Sequence, residues 1–192
     1  MASEDNEYSA GGTPRPGHAV EEIASAWERE RPGTPVSSIG IVTPIWRLAK
    51  LLGDDRRRVL ARAGVDTATL DLLSVLRRSG PPYVLTTREL GTRSLVTAGA
   101  VSQRVAKAER EGLVVRRAGA GRVRSVEVAL TETGHAVIEA TVDRVLGREA
   151  ELVNALTPEQ QAQLAELLGI LFDDVRARLG DDRITQVGDT DA

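Results

Sequence analysis

Residues 86–130 read TTRELGTRSLVTAGAVSQRVAKAEREGLVVRRAGAGRVRSVEVAL, and this stretch decides the fold. Thr86 is followed three residues later by Glu89, the capping-box spacing in which a hydroxyl and a carboxylate satisfy the amides left open at a helix start. The helix so begun is short and ends near Arg93. After a turn, a second helix from about Thr97 to Glu111 sets Val101, Val105 and Ala108 on one face and leaves Ser102, Gln103 and Lys107 elsewhere. Gly112 stands where that helix must stop. Leu113 to Arg117 is apolar and β-branched, Ala118 to Gly121 is a flexible turn, and Val126, Val128 and Leu130 alternate with polar residues. Short helix, turn, second helix and basic hairpin in this order predict a winged helix-turn-helix.

Charge supports the same reading once it is counted by segment. The whole chain carries 25 Lys+Arg against 28 Asp+Glu, a formal −3 that argues against a nucleic-acid partner. Residues 86–130, however, hold nine bases and four acids, a net +5. Residues 1–36 carry −4 and residues 173–192 carry −3, so acidic ends conceal a basic block. A polar-faced helix can enter the major groove while an arginine-bearing hairpin reaches phosphates or the neighbouring minor groove. Thr97, Ser102, Gln103 and Lys107 are the expected groove and backbone contacts, with Arg122 and Arg124 on the wing. The alternative is a winged-helix protein-interaction or small-molecule-binding module without specific DNA binding, since a charge run is often only a solvated face.

Outward from this block the apolar spacing is helical. Val20, Ile23, Ala24 and Trp27 predict a short helix from about His18 to Glu30, stopped by Arg31-Pro32-Gly33. Ser37 to Ala63 reads as a long helix, with Pro44 inside it, whose apolar residues cover most of its circumference; such a helix must be surrounded by its own domain or by a second subunit, and Trp46 within it reads as core. Asp66 caps a helix to about Arg78, ended by Gly80-Pro81-Pro82. Thr131 caps a long helix to about Ala155, and Thr157-Pro158-Glu159-Gln160 opens a last one carrying Leu164, Leu167, Leu168, Leu171, Phe172, Val175 and Leu179. Residues 1–17 and 180–192 lack periodicity and read as disordered tails. The expected organisation is therefore N-terminal helices over 18–66, the winged unit over 67–130 and C-terminal helices over 131–179.

Composition narrows the chemistry. With no cysteine, thiol catalysis, zinc ribbons, iron–sulfur clusters and disulfide scaffolds are excluded. The apolar stretches fall far short of the ~20 residues a membrane span needs, and no export signal opens the chain, so the expectation is a cytoplasmic protein. GxGxxG after a strand, GxSxG, HExxH and the Walker loop are missing, so neither an enzyme nor a cofactor is expected. His18 and His135 have no ligand-spaced neighbours, so no metal is expected.

The run LDLLSVLRRSGPPYVLTTRELGTRSLVTAGAVSQRVAKAEREGLVVRR at 70–117, followed by VEVALTETGHAV at 126–137, resembles the MarR family of bacterial transcriptional regulators. The resemblance spans about residues 37–179. It implies a mainly α fold with a small β-hairpin wing and a helical dimerisation region from both termini. It further implies a homodimer on a double-stranded, pseudo-palindromic operator, acting as a repressor released by a small ligand. The wing tip AGAGRVR departs from the family's Asp-x-Arg-Asp-Arg-Arg pattern. The added helix with ASAWERERPG resembles the subgroup that includes urate-responsive and PecS-like regulators. Matched residue by residue, that subgroup's ligand signature falls on Trp27, Asp71, Arg104 and Arg116. An aromatic plate, two guanidiniums and a carboxylate able to pair with arginine make an anion pocket suited to urate or to a di- or tricarboxylate such as aconitate or citrate. Each residue has a plainer role open to it: Trp27 pinning its helix, Asp71 on a helix surface, and Arg104 and Arg116 on DNA phosphate.

Overall fold

The computed structural model describes residues 19–119 and 125–180. It contains α1 (Val20–Glu30), α2 (Ile39–Ala63), α3 (Thr67–Arg78), β1 (Val84–Thr86), α4 (Thr87–Ser94), α5 (Ala98–Arg110), β2 (Val114–Ala118), β3 (Val126–Leu130), α6 (Glu132–Val153) and α7 (Pro158–Leu179). The chain divides inside α2, between Leu51 and Leu52, into two compact units.

The first unit carries α1 and the N-terminal part of α2. Glu22 reaches back to accept from the Ala19 amide at 3.2 Å, which seeds α1, and none of α1's residues is buried. The α2 residues Ile41, Val42, Trp46, Leu48 and Leu51 are exposed; Trp46, expected in the core, is instead 70% exposed, because helical spacing marks an apolar face without saying what covers it.

The second unit is built around α3, whose Leu70, Leu72, Leu73, Val75 and Leu76 are all buried. Against them close Leu60 of α2, Leu90 of α4, Val101, Val105 and Ala108 of α5, Leu85, Val114 and Val128 of the strands, and Ile138 and Val145 of α6. Each fully buried leucine contributes about 1.5–3 kcal/mol. Asp66, Thr86, Thr97, Thr131 and Thr157 cap the next five helices as side-chain acceptors, with Glu89 and Gln160 closing the expected capping boxes. Gly112, at φ +72°, takes the left-handed turn that ends α5.

Two connections position the hairpin. The Thr131 hydroxyl donates to the Gly112 carbonyl at 2.7 Å while accepting from the Gly134 amide, so one residue caps α6 and ties it to the exit of α5. A Cβ on Gly134 would lie 2.0 Å from the Leu113 carbonyl oxygen, so only glycine admits this approach. The sheet has the order β1-β3-β2, with Arg116 opposite Val128 and Leu85 opposite Val128 on the other edge. The hairpin of β2 and β3 matches the sequence reading. β1 was not anticipated, because three residues are too few to show a period of two and Thr86 at its end is already the cap of α4.

The last helix differs from the rest of this unit. Pro158 at its first position and the Thr157–Gln160 box start it, but none of its residues is buried. Leu167 is 57% and Phe172 53% exposed, in line with Leu164, Leu168, Leu171, Val175 and Leu179. Among the described residues, no helix is long and apolar enough to cross a membrane.

Candidate nucleic-acid interface

Helix α5 presents three sides, set by a turn of about 100° per residue. Val101, Val105 and Ala108 are buried. Ser102 and Gln103 are exposed, together with Arg110 at the far end. Thr97 is committed as N-cap: its Oγ1 accepts from the Ala100 amide at 3.3 Å, which leaves its own hydroxyl proton available.

The two flanks of α5 are held by ion pairs. On the side toward α3, Arg104 Nη1 donates to Asp71 Oδ2 at 3.4 Å, a half-buried contact. Burial pushes the Asp71 carboxyl above its ordinary range, against the pull of Arg104, Arg78 and Arg56. One turn along, Lys107 pairs with Asp66 and lies 3.8 Å from Glu111. Asp66 is itself fixed, because its Oδ1 accepts from the Thr69 amide at 2.7 Å. On the side toward the wing, Glu109 Oε2 accepts from Arg116 Nε at 2.7 Å and Oε1 accepts from the Arg116 amide at 3.3 Å. This bonding holds the Glu109 carboxyl below the usual carboxylate range and raises the Arg116 guanidinium.

Beside α5 lies an open groove of about 650 Å3, lined by Thr87, Arg88, Thr92, Ser102, Arg116 and Val126. It collects one hydroxyl-bearing helix start and two guanidiniums, a chemistry suited to a phosphate backbone. Sequence reasoning assigned no role to Arg88, Arg93 or Arg110. All three are exposed. The signal for Arg88 was present in its place one residue after the first helical position of α4, opposite the inward Leu90.

Of the four residues expected to form an anion pocket, Asp71 and Arg104 are brought together. Arg116 is held by Glu109 at the groove. Trp27 belongs to the first unit, where it is 52% exposed and borders a shallow recess with Ile23 and Ala26. Arg122, Arg124 and His18 lie outside the described residues. His135 packs edge-on to the Tyr83 ring, centroids 4.7 Å apart. Among the described residues no cluster of His, Asp and Glu could hold a metal ion.

Similarity to known proteins agrees with this geometry. The MarR family model matches residues 63–124. An uncharacterized HTH-type transcriptional regulator of Bacillus cereus is 31% identical over 110 residues, covering 57% of this chain and 71% of that protein. The chain belongs to the MarR family. It is a family of transcriptional regulators, not of enzymes. Within it, the chain is 25% identical to the HTH-type transcriptional regulator PecS of Dickeya dadantii, over 78% of this chain and 90% of PecS. The structure of Sco3205, a MarR family regulator from Streptomyces coelicolor solved in complex with DNA, superposes with a TM-score of 0.61 at 27% identity, covering 77% of this chain and 96% of that one. A mutant MarR from E. coli in complex with operator DNA superposes at 0.55 with 25% identity, over 68% and 94%.

Proposed function

We propose that this MarR-family chain is a homodimeric repressor that binds a pseudo-palindromic operator and is released from it by a small anion. The observation that carries DNA binding is the exposed Ser102–Gln103 side of α5 next to the groove bearing Arg88 and Arg116. Thr97, Ser102 and Gln103 reach base edges and phosphates, Gln103 being suited to adenine. Arg122 and Arg124, as wing contacts, rest on the sequence alone. Sco3205 and the E. coli protein, both solved with DNA, support the reading.

The exposed apolar faces of α7 and of α2 support the homodimer, since apolar surface of this extent is covered by a partner in a soluble protein. Two copies would present two recognition helices to successive major grooves, about 34 Å apart. Fluorescence anisotropy on duplex DNA from upstream of the chain's own gene tests the proposal. Saturable binding that weakens steeply with salt is expected, and its absence would favour a protein-interaction module.

The anion site is centred on Asp71 and Arg104. An anion that captures Arg104 displaces the single 3.4 Å bond to Asp71 and frees that flank of the recognition helix. Arg116, held by Glu109 on the other flank of α5, and Trp27, in the first unit, are ligand residues on the sequence resemblance alone. Urate, citrate and aconitate titrated into the protein–DNA complex are the probes. Release at unchanged concentrations in Asp71→Ala and Arg104→Ala proteins would remove these residues from the site.

A further inference from the structure

Among the described residues three ion pairs tie α5 to other elements, and they are unequal. Arg104 makes one long contact to the half-buried Asp71 carboxyl, which burial pushes above its ordinary range. Glu109 holds Arg116 through both carboxylate oxygens, but the partner is on the hairpin rather than the helical body. Lys107 pairs with Asp66, whose other oxygen caps α3, so this contact ties α5 to the start of the same helix that carries Asp71 in its body. Lys107 therefore meets, 41 residues distant in sequence, the residue at which α3 starts, through a solvent-exposed pair where the C-terminal half of α5 approaches the first turn of α3. Glu111 adds a second carboxylate at 3.8 Å, so the ammonium faces two carboxylates before any DNA arrives.

We infer that Lys107 and Asp66 form the anchor that sets the angle of the recognition helix against the body, so that Lys107 serves DNA recognition by positioning α5 and does not itself contact DNA. The inference rests on the DNA-binding reading above and reassigns a residue which the sequence had placed at the DNA surface. It also says which end of α5 moves. With Lys107 fixed and the Arg104 bond exchangeable, displacement of Arg104 from Asp71 lets α5 turn about its C-terminal half, which swings Ser102 and Gln103 out of register.

The two readings of Lys107 predict opposite signs. If Lys107 were a DNA contact, Asp66→Asn would release its ammonium, remove a negative charge and strengthen binding. If it is an anchor, Asp66→Asn weakens binding although the protein has become more positive; asparagine is as good an N-cap as aspartate, so α3 keeps its start. Anisotropy is measured on the chain's own upstream duplex and on a random duplex across a salt series. Lys107→Gln and Asp66→Asn should each weaken specific binding about fivefold, and the double variant should be no worse than either single one. The salt slope should stay unchanged, random-duplex binding by Asp66→Asn should not fall, and Lys107→Arg should restore most of the affinity.

Stronger binding by Asp66→Asn, or a slope reduced by about 0.9 in Lys107→Gln, overturns the anchor. If the wild-type protein shows no salt-sensitive DNA binding at all, the functional reading fails separately, and amide hydrogen exchange across residues 104–110 still reads the anchor. Faster exchange in both variants is then expected, and unchanged exchange in both overturns it.

Discussion

The α3-centred core and helix α7 have similar apolar content and opposite fates. Leu73, Leu76, Leu90 and Ala108 have no accessible surface, whereas every residue of α7 retains some and its leucines are largely open. The core closes because α4, α5, α6 and the sheet pack against the apolar face of α3. The α7 stripe has no such surround within its own unit. A helical stripe thus states that a face must be covered without stating by what.

That contrast can be broken most severely in the core. Leu73→Ala should cost about 2–5 kcal/mol, read as a lowered denaturation midpoint, because its cavity cannot collapse between fixed neighbours. A cost below 1 kcal/mol would mean the core is looser than its burial implies. The matching change on α7, Leu167→Glu with Leu171→Glu, should leave each chain folded but convert dimers to monomers in light scattering. Operator affinity should fall about 100-fold or more with the loss of the second half-site. Persistence of the dimer would show that α7 is not the covered face.

A smaller effect lies at the seam between core and surface. Because the raised Asp71 carboxyl holds its proton to higher pH in the folded chain than in the unfolded one, stability should decline as pH rises from 3.8 toward the raised value. Asp71→Asn should flatten that part of a denaturation series, and an unaltered pH profile would place the decline elsewhere. Smallest of all is Leu95, exposed by 59% with φ +55° at the end of α4. It is the left-handed C-cap of that helix. Leu95→Asn, which tolerates that conformation better, should stabilise by about 0.5–1 kcal/mol and leave the oligomeric state alone. A weakened dimer would put Leu95 in the interface.

Much of the fold was legible in the chain. Caps at Asp66, Thr86, Thr97, Thr131 and Thr157 act within three residues, so their pattern is visible in a linear reading. The inward residues Val101, Val105 and Ala108 obey the same local period. The site was less legible. Arg104 and Asp71 could be matched through a family signature, but the Lys107–Asp66 and Arg56–Glu149 pairs join residues 41 and 93 apart and have no local signal. Arg116 was matched to an anion pocket, yet its nearest carboxylate is Glu109, seven residues earlier across the turn between α5 and β2.

By itself, the sequence determined which segments become helices, where they start and stop, and that a basic winged unit lies between acidic ends, because capping, periodicity and charge are properties of neighbours along the chain. Only the tertiary structure decided which arginines and lysines are already paired and which stay open to solvent. Charge pairing depends on separation in space, and packing around α3 sets it.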